Sequence, residues 1–198
     1  MTEIRTLLEM AGASRLPAKI ADATLLLIDC QREYVDGRLP LVGVAGALAE
    51  CRRLLEAARA CDSPVIHVVH QGQRGGLFDP EGRGGAIAEE VAPRAGETVV
   101  PKRLPNSFAG TELQAVLSRV NRKDLVVAGF MTHMCVSATV RAALDLGWRS
   151  TVVASAAATR DLPAIGGGVV PAAQLHAVEL AALADRFAVI APDASACL

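Results

Sequence analysis

Aromatic side chains are scarce in this 198-residue chain: one Trp, one Tyr and four Phe, 3% of the sequence. A pocket lined by rings has few to draw on, and Tyr34, Phe108 and Phe78 are the candidates. No run of about 18 uninterrupted apolar residues occurs, which argues against a membrane-spanning helix. Positive charge is not in excess either. The 20 basic and 21 acidic residues leave a net charge of −1, so the field that holds nucleic acid is missing. The cysteines are Cys30, Cys51, Cys61, Cys135 and Cys197. Their odd number and the absence of a CxxC pair argue against a disulfide framework and a zinc knuckle. The phosphate-cradling GxxxxGK[ST], the dinucleotide GxGxxG, HExxH and the EF-hand loop are all absent. The opening Met1-Thr2-Glu3-Ile4-Arg5 is acidic, with no long apolar core behind it, and is expected not to be a signal peptide. These absences predict a reduced, cytoplasmic protein with a small-molecule substrate, no nucleic-acid partner and no membrane partner.

What is present is apolar: 52% hydrophobic residues and a mean hydropathy of +0.34. Short apolar runs alternate with helical patterns. The runs are 23–29 (ATLLLID), 64–70 (PVIHVVH), 97–102 (ETVVPK), 123–130 (KDLVVAGF), 149–155 (RSTVVAS) and 187–190. Apolarity at consecutive positions marks strands covered on both faces, as in a parallel sheet. Between them, 44–61, 110–120, 134–146 and 171–184 place apolar residues three and four apart. The pattern predicts one α/β domain over 1–198, with a core of about 23–190 and a doubly wound sheet. Segments 71–85 and 161–171 are glycine-rich and fit neither period. The first is too long for a simple connection and is expected to be an interface arm or a lid. High apolarity in so short a chain predicts a homo-oligomer, a dimer or tetramer.

Ligands of open parallel sheets bind outside the carboxyl ends of the strands. The first run ends in Asp29, the third in Lys102, and the fourth leads through Gly129-Phe130-Met131-Thr132-His133-Met134-Cys135 into a helix. A carboxylate, an amine and a thiol thus converge on one edge. Lys102 is one of three lysines against seventeen arginines, which singles out a compact ammonium. A thiol in a first helical turn, near an ammonium, is expected to have a lowered pKa. His67 and His70, three apart on a strand, point to opposite faces and make a poor metal site. His133 is expected to wall the pocket rather than serve as a base.

These residues resemble the isochorismatase-like cysteine hydrolase family, which includes nicotinamidases and other amidases. The resemblance rests on Asp29-Cys30-Gln31 with Tyr34, on Lys102 with Ser107-Phe108, and on GxxTxxCV at Gly129 to Val136. It implies a three-layer α/β/α fold with a six-stranded parallel sheet of order 3-2-1-4-5-6. It also implies a catalytic Asp29–Lys102–Cys135 triad and a cis peptide at Phe130–Met131. An oxyanion hole follows from the backbone N–H groups of Met131 and Cys135. Gln31, Tyr34, Phe108 and His133 then line the substrate pocket. The implied reaction is cleavage of a small amide through a thioester. The alternatives are a vinyl-ether hydrolase of the isochorismatase type and a non-catalytic binding protein on the same fold. The metal site of nicotinamidases needs histidines that 36–44 (DGRLPLVGV) does not supply. The expectation is therefore no metal and no cofactor.

Overall fold

A computed structural model describes residues 4–198, so the opening segment read above falls partly outside the described residues. Strands β1 (Thr24–Ile28), β2 (Val65–His70), β3 (Thr98–Lys102), β4 (Asp124–Phe130), β5 (Arg149–Ala158) and β8 (Ala188–Ala191) form the main sheet. Its order is β3-β2-β1-β4-β5-β8 and every pairing is parallel. This is the expected 3-2-1-4-5-6 order with one addition. The two-residue strands β6 (Leu162–Pro163) and β7 (Val169–Val170) form an antiparallel hairpin ahead of the last strand. Helices α1 (Leu7–Met10), α2 (Val44–Ala60), α3 (Leu113–Val120), α4 (Ser137–Asp145) and α5 (Ala172–Arg186) complete the chain.

Strand alternation divides the core into two layers. Leu25 and Leu27 of β1 pack with Ala47, Leu48, Cys51, Leu54, Leu55 and Ala58 of α2. Leu26 and Ile28 pack on the other face with Leu113, Val116 and Leu117 of α3 and Val140 and Ala143 of α4. Each fully buried leucine contributes about 1.5–3 kcal/mol of transfer free energy, so the two layers fix which way β1 faces. Among the described residues no helix is long and apolar enough to cross a membrane.

Three local expectations are corrected. The predicted fifth strand stops at Ser155, but β5 continues to Ala158. A bulge after Val127 shifts the register so that Ala157 and Ala158 pair with Gly129 and Phe130. Alanine carries little strand propensity, so the tail is invisible to a pattern of β-branched residues. The helix expected from 134 is preceded by a wide π-turn, Thr132–Val136, and α4 proper begins at Ser137. The helix expected from 171 begins at Ala172, with Pro171 just outside it, and the Asp161 carboxylate accepts the Ala172 amide at 2.7 Å.

Candidate active site

Asp29 follows β1 in the left-handed region, at φ 50, a conformation aspartate tolerates better than most residues. The Lys102 ammonium lies 2.7 Å from its Oδ2, and neither side chain is exposed at all. Outside that ion pair neither Asp29 oxygen meets a hydrogen-bond partner in good geometry. Lys102 Nζ also donates to Cys135 Sγ at 3.3 Å and lies 3.4 Å from His70 Nδ1. The carboxylate, the amine and the thiol are therefore brought together, in a site almost closed to solvent.

The backbone around Cys135 is tightly specified. The Phe130–Met131 peptide is cis, as the resemblance implies. Gly129 has φ +118, and a Cβ there would lie 2.0 Å from the carbonyl oxygen of Ile28. Only glycine lets β4 pass this close to β1 and deliver residues 130–135 to the strand edge. Thr132 donates to the Ala158 carbonyl at 3.2 Å and meets His176 Nδ1 of α5 at 2.8 Å. Helix α5 and the tail of β5 thereby hold the π-turn that carries Cys135.

The expected depression of the Cys135 pKa is reversed. Burial, reinforced by the Asp29 charge, pushes the thiol up to about 12 and outweighs Lys102. Burial also raises Asp29, against the pull of Lys102 and of the thiol. Burial thus disfavours charge on both groups, and the thiol is protonated at neutral pH with the Asp29 carboxyl close by. The sequence argument counted the attractive ammonium and missed the cost of burying the thiolate.

The other expected site residues take different places. Tyr34 is buried, with its ring edge-on to Phe78 at 4.9 Å and Phe130 at 6.0 Å. Gln31 is wholly buried; its amide nitrogen donates to the His70 and Gly85 carbonyls at 2.9 and 2.8 Å. Its amide oxygen accepts the His70 N–H at 2.8 Å. Gln31 thus ties β2 and the 71–88 segment to the end of β1. His133 Nδ1 meets Thr159 Oγ1 at 2.6 Å; burial, then Arg160, lowers its pKa. Phe108 stacks on Trp148, 5.7 Å between centroids, and joins the layer beneath α3 and α4.

The segment expected to be an interface arm or a lid folds against its own chain. Phe78, buried at φ 54, packs edge-on to His70 at 5.1 Å. Its N–H donates to the buried Glu33 carboxylate at 3.2 Å. A bulky residue in the left-handed region is an outlier, held here by Tyr34, His70 and Glu33. His70 itself was missed as a site residue. The available signal was register: it pairs directly with Lys102 across β2 and β3.

A cavity of about 440 Å³ lies elsewhere, at the amino ends of the strands, lined by Leu16, Asp124, Arg149, Ser150, Phe187 and Ala188 among others. Neither Asp29, Lys102 nor Cys135 lines it. No group of three or more metal-ligating side chains occurs among the described residues.

Comparison with known proteins agrees with this architecture. The isochorismatase domain profile matches residues 23–194. The chain is similar to an isochorismatase of Pseudomonas putida KT2440 whose crystal structure superposes with a TM-score of 0.93. The identity is 47%, over 98% of this chain and 99% of that one. It is 38% identical over 179 residues to the secreted isochorismatase effector Isc1 of Verticillium dahliae, covering 90% of this chain and 92% of the relative. It is 32% identical over 159 residues to the maleamate amidohydrolase of Pseudomonas putida, covering 72% of each.

Proposed function

The chain belongs to the isochorismatase family, and we propose that within this family of hydrolases it is a thiol amidohydrolase acting on a small molecule. One observation carries the reading: a wholly buried Asp29–Lys102 ion pair whose ammonium touches Cys135 Sγ. A structural ion pair has no need of a thiol against its ammonium. The name of the maleamate amidohydrolase relative supports amide cleavage.

Asp29 takes the thiol proton as Sγ attacks the carbonyl carbon, and Lys102 balances the charge on sulfur and carboxylate. The Met131 and Cys135 N–H groups receive the oxyanion; such donors contribute about 2.7–4 kcal/mol each in acyl transfer. Asp29 then protonates the leaving nitrogen as the C–N bond breaks, leaving a thioester on Cys135. Water, deprotonated by Asp29, releases the acid and restores the thiol. Tyr34, Phe78 and His70 wall the site, while Gln31 positions His70 and the covering loop. His133 stands at the rim.

Ammonia release from a panel of small primary amides tests this, with Cys135→Ala as the control. The expected result is turnover by the native enzyme, none by the variant, and an acyl adduct on Cys135 by mass spectrometry. Pyruvate release from isochorismate without ammonia release would select the ether-hydrolase alternative. The homo-oligomer belongs to the same proposal. Ile165 and Val169 of the hairpin and Val178 of α5 expose apolar surface, and light scattering against the 20.6 kDa chain mass decides. So does a cytoplasmic setting, consistent with five free cysteines and tested by cell fractionation.

A further inference from the structure

The cavity at the amino ends of the strands lies at the sheet edge opposite to Asp29, Lys102 and Cys135, and the proposed reaction makes no use of it. Its volume, about 440 Å³, is that of a small-molecule site. Ser150 of β5 pairs with Ala188 of β8 in the ladder, and both line the cavity. So do Leu144, one residue before the end of α4, and Phe187, which follows α5. Leu8 of α1 and Leu16 complete the apolar lining. Leu16 is 80% exposed, a large apolar side chain standing in water at the mouth.

Two observations define what this space accepts. The first is a hydroxyl. Ser150 is only 5% exposed, and its Oγ meets no hydrogen-bond partner among the described residues. The next residue, Thr151, is by contrast in use: its Oγ1 accepts the Ala18 N–H at 2.9 Å. A buried hydroxyl without a partner costs free energy that a polar atom of a ligand would recover. The second is charge. Arg149 is paired with Asp124 at 2.6 Å. Arg186 and Asp22 bring opposite signs to the lining. Lys19 stands against the carboxyl ends of α4 and α5, each of which carries about half a negative charge. The signs come close to cancelling, so an ion entering here gives up its hydration for little net field.

We propose that this cavity is a second ligand site, separate from the thiol site, for a neutral, largely apolar small molecule with one hydrogen-bonding group. Ser150 Oγ meets that group, and Leu8, Leu16, Leu144 and Phe187 cover the apolar body. The assignment is independent of the amidohydrolase reading.

2-Naphthol, naphthalene and 2-naphthoate are the probes: one apolar body with a neutral hydroxyl, with no polar group, and with an anion. Equilibrium dialysis against the native protein at pH 7 gives a Kd for each. 2-Naphthol is expected to bind with a Kd at or below about 1 mM, within reach of a ligand of its size. It should bind about 3- to 10-fold tighter than naphthalene, the worth of one net hydrogen bond, and at least about 10-fold tighter than 2-naphthoate. Ser150→Ala should bring 2-naphthol to the naphthalene value and leave naphthalene unchanged. That variant loses a hydroxyl that bonds nothing, and an unchanged Tm shows that it folds. Leu16→Ser, at an exposed position, should weaken both neutral probes by a common factor. Cys135→Ala should leave all three affinities as they are. Failure of 2-naphthol to bind overturns the proposal, as does a preference for 2-naphthoate. Equal 2-naphthol affinity in the native protein and Ser150→Ala removes Ser150 from the site. Loss of binding in Cys135→Ala would place the probe at the thiol and end the case for a second site.

Discussion

Strands β2 and β3 carry two buried clusters of charge, and the clusters differ in what surrounds the carboxylate. Near the start of β3, Glu97 accepts Arg59 Nε and Nη2 at 2.7 and 2.9 Å, the Arg94 N–H at 2.8 Å and His67 Nε2 at 3.1 Å. Arg59 above all, with the Arg94 amide and His67, brings its pKa down to about 2. At the other end of the same strands, Asp29 has a single ammonium and a thiol, and burial raises its pKa. A saturated carboxylate is inert and ties elements together. A carboxylate with spare acceptor capacity in a dry site is a base waiting for a proton. On the proposed reading the first cluster is structural and the second carries the chemistry.

The largest effect that could break this contrast is on turnover. Asp29→Asn should lower kcat by about 10²–10⁴-fold, the usual contribution of a positioned base, while Glu97→Gln should leave it within a few-fold. Steady-state kinetics on both variants checks this, and comparable losses would erase the distinction. Lys102→Arg should fall with Asp29→Asn, because a planar fork does not fit a site built for a compact ammonium.

Stability should show the opposite ranking. Glu97→Gln removes the charge and one of the two acceptor oxygens that serve Arg59, His67 and Arg94 and should cost about 1–3 kcal/mol, read as a lower Tm. The pH dependence follows by linkage. The folded pKa of Glu97, about 2, lies below its ordinary value of 4.5. Its stabilisation is thus complete above about pH 4.5 and is lost as pH falls toward 2. An acid-unfolding midpoint that Glu97→Gln leaves unmoved would contradict the assignment. Asp29 runs the other way. Its raised pKa should place the acid limb of kcat/KM above about 4, the ordinary aspartate value, with an apparent midpoint belonging to the Asp29–Cys135 pair.

The smallest effect concerns the resting thiol. With its pKa at about 12, Cys135 should be alkylated by iodoacetamide at pH 7 more slowly than free cysteine, and faster as pH rises. Peptide mapping of labelled protein measures this. A burst of labelling at neutral pH would show a preformed thiolate.

Much of this was legible in the chain. Consecutive apolar residues at 24–28, 65–70 and 124–130 specify doubly covered strands whatever packs on them. The strand ends then place Asp29, Lys102 and the approach to Cys135 on one edge. What stayed hidden depends on who sits opposite. Phe108 is drawn to Trp148, forty residues away in the chain, because a large ring follows the nearest apolar layer. The sign of the Cys135 shift turns on burial, which no local pattern reports. The alanine tail of β5 is strand only because Gly129 and Phe130 pair with it.

Gln31 places one further demand on the protein, and it is a demand of time. Its side-chain amide gives two hydrogens to carbonyls and takes one from an N–H. Spontaneous deamidation would turn that nitrogen into an oxygen, facing the His70 and Gly85 carbonyls with nothing to offer them. The covering segment would lose its latch although every catalytic group was intact. Such a change would open the cover without touching Asp29, Lys102 or Cys135, and the burial of Gln31, which keeps water from its amide, guards against it.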